Sequence, residues 1–352
     1  MERRLWRIAR TSVLLAIWLC AVLGSTQCLE ARPPPAPGDL PSAAVAAEGQ
    51  PPWQVDRDAR LSPGSVLGSH PQTPLGQSAV TVLTTTITIP TYPYSRCLQT
   101  RQDGGPYPGY PYRYLDWSCY GSPTPVPQTY RLLVLENEYL RVSLLPELGG
   151  RVYQLTYKPT GHNELYQNPV IKPTHWGPPE QGWWLAVGGI EWCWPVEEHG
   201  YRWAEPWSYQ VASSAQGVTV TLRESAAVER LRTRVSVHLP ADRAVLTISP
   251  RIENPTMVNL AYKYWTNAML APGAANTVSQ ELHFIYSART MSVHSTGDCR
   301  LPGCWPTAPT GPDYRFTWPE YGGVLYARLG NWRQWLGFFE YPQATANFVG
   351  VY

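Results

Sequence analysis

The chain has 352 residues, of which 43% are apolar and only 15% charged, with 36 Pro and 28 Gly. That is enough apolar material for one large domain or two ordinary ones. Charge is too sparse and chain punctuation too frequent for a mainly helical protein, whose exposed faces consume Lys and Glu. The 28 basic and 26 acidic residues leave a net charge of +2, which excludes a strongly basic nucleic-acid binder.

Residues 1–30 read as an address. Arg3, Arg4, Arg7 and Arg10 make a positive start, Ser12 to Leu23 is apolar, and the small or polar Gly24, Ser25 and Thr26 follow. This is the layout of a signal peptide, and the apolar run falls short of the roughly 20 residues of a comfortable membrane span. An uncleaved anchor is the alternative. The protein is thus expected to be exported, extracellular or held at the cell envelope, with membrane contact only through this segment. Residues 31–79 hold ten Pro among Ala, Gly and Ser, with few large apolar side chains. Such a composition cannot bury enough surface to offset its ordering entropy, so it predicts a disordered linker.

The folded part is expected over 80–352. Period-two patterns recur along it: Val80 and Val82; Leu140, Val142 and Leu144; Val218, Val220 and Leu222; Leu231 through Leu239; Leu246 through Ile252; and finally Gly337 to Glu340 and Asn347 to Tyr352. Strand side chains alternate between faces, so each run has one core face. Turn signals at Pro146–Gly150, Pro159–Gly161, Pro240–Asp242 and Glu253–Pro255 separate the runs. No heptad and no glycine-rich phosphate loop appears. The prediction is an all-β domain of antiparallel strands, a sandwich or barrel with little helix.

Of the seven cysteines, Cys20 and Cys28 belong to the address. Cys299 and Cys304 flank Arg-Leu-Pro-Gly, a turn-like spacer, and are expected to form a disulfide in an oxidising compartment. Cys97 with Cys119 is a second pairing. Cys193, between Trp192 and Trp194, reads as a buried thiol. His294 added to Cys299 and Cys304 would give three zinc ligands but no fourth at useful spacing, so no metal and no cofactor is expected.

Residues 165–210 carry the most chemistry. Seven Trp (176, 183, 184, 192, 194, 203 and 207) lie among His175, Glu191, Glu197, Glu198, His199, Arg202 and Glu205. Sugar rings present apolar C–H faces rimmed by hydroxyls. A site for them needs flat aromatic platforms beside carboxylate, imidazole and guanidinium groups. The plain alternative is a Trp-rich core with ordinary surface charges. Glu191 follows the bend Gly188-Gly189-Ile190, and His199 precedes Gly200. Arg151 follows Gly149-Gly150, where a guanidinium could be aimed into a cleft. Lys172 and His175 sit in Pro-punctuated loops next to Trp176. His162 and His238 read as a turn residue and a solvent-facing strand residue.

These segments resemble a bacterial domain family of unknown function. The resemblance rests on Leu135–Leu140, Leu145–Val152, Asn168–Lys172, Gly188–Trp192, the opening strand Thr88–Tyr92 and the later segment Gly330–Phe338. It spans about Val80 to Tyr352, with the motifs in the same order. The family is grouped with the galactose mutarotase-like β-supersandwiches, shared by aldose epimerases and by accessory domains of sugar-cleaving enzymes. Some relatives join the domain to tetratricopeptide helices. The epimerase sugar-binding loop is similar to His199-Gly200-Tyr201-Arg202 followed by Trp207. The stretch comparable to the epimerase acid-histidine segment, Asn259 to Asn267, contains Trp265 and Asn267 but no His. In the family the domain continues past the point corresponding to Tyr352, so the chain is expected to be incomplete at its C-terminus.

Three functional expectations follow. The first is an exported carbohydrate-binding protein, with Arg151, Lys172, His175, Trp176, Trp192, Trp194, Arg202, Trp207, Trp265 and Asn267 as ligand contacts. The second is a sugar-active enzyme, epimerase-like or glycan-cleaving, with Glu191 and His199 as its acid and base. A third, plainer reading makes the Trp residues core and the partner another protein.

Overall fold

Four consecutive apolar residues, Leu132-Leu133-Val134-Leu135, do not fit a strand with one wet face. In the computed structural model, which describes residues 80–224, 231–307, 314–340, 344–346 and 348–352, they have none: all four are buried. They lie in the strand Val126–Glu136, inside a nine-stranded sheet. Leu133 and Leu135 enter one core, Leu132 and Val134 another, on the opposite face. A strand covered on both sides reads as an unbroken apolar run.

The sheet runs, edge to edge, through Trp265–Ala268, Ile190–Cys193, Arg151–Tyr157, Leu140–Leu145, Val126–Glu136, Thr81–Thr91, Gln167–Thr174 and Trp184–Gly188, with His162–Asn163 added to Arg151–Tyr157. Pairing is antiparallel except for one parallel contact, Thr91 with Ile171. Only Gly189 separates the last strand, Trp184–Gly188, from the second, Ile190–Cys193. The sheet therefore curls until its two ends are chain neighbours. Gly189 makes this possible: its φ is +81°, and a Cβ there would stand 2.3 Å from the carbonyl oxygen of Val152.

One face of this sheet packs on a four-stranded meander, Trp207–Ser214, Gly217–Glu224, Arg232–Pro240 and Thr247–Glu253. Here the period-two reading holds. Val218, Val220 and Leu222 face Val235, Val237 and Leu239 in one buried cluster with Leu133, Val142 and Trp192. Each such aliphatic side chain, fully buried, contributes about 1.5–3 kcal/mol of hydrophobic stabilisation. The other face holds the second core, built on Ile171, Leu185, Val187 and the T-shaped pair Trp183–Trp203. A third core gathers the later strands, with Thr290–Thr296 between Arg315–Thr317 and Leu336–Phe339. The architecture is all-β and sandwich-like, with helix confined to short pieces such as Trp117–Tyr120, which Asp116 caps.

Two disulfides, Cys97–Cys119 and Cys299–Cys304, are formed, and Cys193 is a buried free thiol. The second bridge takes both thiols of the zinc arrangement weighed with His294. No helix among the described residues is long and apolar enough to cross a membrane. The expected address (1–30) and linker (31–79) lie outside the described residues.

Candidate functional site

Strand alternation assembles a polar group on one face near the sheet edge. In Ile190–Cys193, Ile190 and Trp192 enter the core against the meander, so Glu191 and Cys193 point the other way. Ile190 pairs with Val152, which puts Arg151 on the same side as Glu191. On the other flank Glu191 stands directly opposite Asn267. All four residues are buried.

Glu191 is the hub. Its Oε1 lies 2.6 Å from His199 Nδ1 and accepts from Asn267 Nδ2 at 3.0 Å, with Cys193 Sγ at 3.7 Å. Its Oε2 accepts from the Trp184 indole at 3.2 Å and lies 3.5 Å from Arg151 Nη2. Burial disfavours the charge, but His199, Arg151 and the Asn267 amide together outweigh it and hold the carboxyl below the ordinary glutamate range. Burial drives the Cys193 thiol pKa well up, so it remains S–H. Burial also lowers the Arg151 pKa, partly countered by Glu191. The guanidinium stays charged because its unperturbed value is so high.

An ionised carboxylate on Nδ1 fixes which nitrogen of His199 carries the proton. Nε2 then has no hydrogen-bond partner among the described residues, and it is not sealed from solvent. The imidazole contacts two aromatic rings. Trp184 stacks on it at 4.3 Å and 20°, and Trp265 leans on it at 5.8 Å and 44°. Trp265 is held in turn by a 2.6 Å bond from its indole to the Glu198 carbonyl. The arrangement presents one oriented imidazole nitrogen beside two partly buried indoles. It can donate or accept a single hydrogen bond, or move one proton.

The local backbone is built for this. Gly200 has φ +67°, and a Cβ on it would sit 2.2 Å from the backbone nitrogen and oxygen of Trp194. Gly200→Ala is therefore expected to cost about 2 kcal/mol or more, since the left-handed penalty adds to the clash. Urea unfolding checks it.

The sequence-predicted residues separate into groups. Glu191, His199, Asn267, Trp265 and Arg151 come together. Arg151, however, is wholly buried and serves carbonyls of Leu148, Gly188 and Trp203, so it supports the group from behind. Trp192, Trp194 and Trp207, expected as ligand contacts, lie in the interior. All three are at most 3% exposed, and their indoles donate to Gly150 O, Tyr110 Oη and Arg202 O. A ring enclosed on both faces offers no platform. Arg202 is likewise buried, paired with Glu205 and Glu224. His175 stacks on Trp117 at 3.8 Å, beside the exposed Trp176, so the two belong to another aromatic surface. Lys172 is half-buried and lies across from Ala186, two residues along from Trp184 on the same strand face. His238 is partly covered and bonded to Thr219.

Both oxygens of Glu191 are engaged within the protein, Oε1 with His199 and Asn267 and Oε2 with Trp184 and Arg151. Trp184 and Cys193 are contributors the ligand list missed. Trp184 was findable, because it precedes the alternation Leu185-Ala186-Val187 and so must face away from Leu185 and its core.

Glu191, Cys193 and His199 offer three ligand atoms within 4.8 Å of one another, a set that could hold a soft divalent ion. Hydrogen bonding already accounts for each of the three, and Arg151 supplies a cation to the carboxylate.

As a class, the chain is an all-β, disulfide-bearing domain organised round a buried carboxylate–imidazole pair. Residues 106–344 match the family described as "Domain of unknown function (DUF5107)", and the chain belongs to that family. A TPR-domain-containing protein from Parabacteroides distasonis ATCC 8503 is a similar solved structure. It is 26% identical with a TM-score of 0.50, over 61% of this chain and 35% of that one. The chain thus spans about a third of that protein's length.

Proposed function

We propose that the protein is an exported carbohydrate-binding protein of galactose mutarotase-like fold, and that its sugar site is the outer nitrogen of His199 beside Trp184 and Trp265. The observation that carries this is the clamped imidazole. Its carboxylate partner is fixed, its free nitrogen is directed, and it is flanked by indole faces of the kind that C–H faces of a sugar ring favour. The resemblance of His199-Gly200-Tyr201-Arg202 to the epimerase sugar-binding loop supports it. Two disulfides are compatible with an extracellular location. Isothermal titration against a glycan panel tests the reading. Heat with a mono- or oligosaccharide is expected, with affinity falling at least ~10-fold in His199→Ala, as loss of a hydrogen bond of about 1.5 kcal/mol implies. Absence of heat with every saccharide sinks it.

The same pair favours one alternative, a sugar-active enzyme in which His199 transfers the proton and Glu191 positions it. Glu191→Gln would then abolish turnover while saccharide binding survives. Undiminished turnover in both Glu191→Gln and His199→Ala would rule it out.

A further inference from the structure

A cleft of about 590 Å³ lies against the hairpin formed by Leu98–Gln102 and Pro111–Leu115. Its volume lies within the range of roughly 300–1,000 Å³ typical of small-molecule sites. None of Glu191, His199, Trp184 or Trp265 lines it. Its walls are phenolic: Tyr94, Tyr112 and Tyr130 all contribute. Tyr130 shares its hydroxyl with Thr91 at 2.9 Å. The hydroxyls of Tyr94 and Tyr112 make no hydrogen bond to any described residue, although both residues are more than nine-tenths buried. Neither hydroxyl is sealed from solvent.

Arg202 also lines the cleft. It is 4% exposed, and its Nη2 has no partner. Its other nitrogens are committed, Nη1 to Glu205 at 2.5 Å and Nε to Tyr110 Oη at 3.1 Å. A buried guanidinium N–H without an acceptor is costly.

Charge decides the class of ligand. Four charged residues line the cleft, two positive (Arg113, Arg202) and two negative (Glu147, Glu205). Each is already engaged. Glu147 accepts from the Arg131 backbone, Arg113 donates to Thr100, and Arg202 and Glu205 hold each other. The wall has no net charge to offer an ion. Phenolic side chains in the wall and a buried guanidinium N–H without an acceptor suit a neutral ligand bearing hydroxyls.

We propose that this tyrosine cleft is a second binding site, for a neutral hydroxyl-rich ligand of about disaccharide size. It does not rest on the reading of the His199 site. The test is titration of the whole chain with maltose, lactose and cellobiose, and with galacturonate as a charged comparator. Three variants accompany it: Thr129→Trp, which fills the cleft from an exposed position, the conservative double Tyr94→Phe/Tyr112→Phe, and His199→Ala. At least one neutral disaccharide is expected to bind, with affinity reduced 10-fold or more by Thr129→Trp and by the double Phe variant, and unchanged at this site by His199→Ala. Galacturonate is expected to bind more weakly. The proposal is overturned if no neutral disaccharide binds, if galacturonate binds more tightly than all three, or if neither cleft variant alters affinity. Heat lost only in His199→Ala would remove the cleft and keep the His199 site. Heat lost only in the cleft variants would do the reverse.

Discussion

Arg151→Met is expected to destabilise the fold by about 3–5 kcal/mol, the cost of breaking a buried ion pair by removing one partner. The side chain is wholly buried, and each nitrogen has a task. Nε donates to Leu148 O at 2.9 Å, Nη1 to Gly188 O at 3.0 Å and Nη2 to Trp203 O at 3.0 Å, with Glu191 Oε2 at 3.5 Å. These carbonyls come from three separate stretches of chain, so one guanidinium ties together the bend at Leu148, the strand end at Gly188 and the loop that carries His199. Met fills comparable volume. The loss would therefore come from three orphaned carbonyls and an uncompensated carboxylate, with little from a cavity. Arg151→Lys should not rescue it, because an ammonium cannot reproduce the planar fork. The urea midpoint should fall with the slope unchanged. A loss under about 1 kcal/mol would show that water or relaxation serves these carbonyls instead.

The same pair sets an acid response. Glu191 has a lower pKa in the folded protein than in the unfolded chain. Its contribution is therefore complete above the ordinary glutamate value of about 4.3 and is lost as pH falls through the depressed folded value. Glu191→Gln should lower stability at neutral pH and flatten the profile in that acid window. A mutant profile that still follows the wild type there would assign the acid response to other carboxyls.

The fold was largely legible, for a physical reason. Val218-Val220-Leu222 and Val235-Val237-Leu239 alternate because each strand of the meander has one covered face, and alternation survives any tertiary arrangement that keeps it so. Leu132–Leu135 sits in a strand covered on both faces, and its unbroken run carries no facing information. The site was legible in part. Glu191 and His199 were recognisable from the glycines beside them, and those glycines hold the close backbone approaches that bring the two side chains together. The tryptophans were not separable by composition. Trp183 and Trp184 are adjacent in sequence, yet one is sealed in the second core and the other stacks on His199. Burial of an indole depends on which strands close over it, and that is a property of the sheet's curl. The Tyr94–Tyr112 cleft left no sequence signal at all, because its walls come from segments separated along the chain and meet only when the 98–115 hairpin folds back.

That hairpin's attachment should be worth about 3 kcal/mol through Cys97–Cys119 alone, the chain-entropy value for a loop of this length. The two cysteines are 22 residues apart, and the segment between them holds the hairpin and the capped turn Trp117–Tyr120. Cys97 is buried in the second core, whereas Cys119 is exposed. Cys119→Ser thus removes the cross-link and leaves the packing intact. The shorter Cys299–Cys304 loop, with a separation of 5, should contribute less, about 2 kcal/mol on the same scale. The ordering Cys119→Ser worse than Cys304→Ser in urea is the expected result. Packing competes with the cross-link for this role. Tyr112 stacks on Tyr201 at 5.0 Å, and Gln181 and Trp183 both donate to the Arg113 carbonyl. If those contacts suffice, Cys119→Ser would leave the midpoint unmoved and the hairpin closed to protease. If the bridge dominates, the midpoint falls and the 98–115 segment becomes the first point of cleavage. A ligand held by Tyr112 would then lose affinity in the same variant.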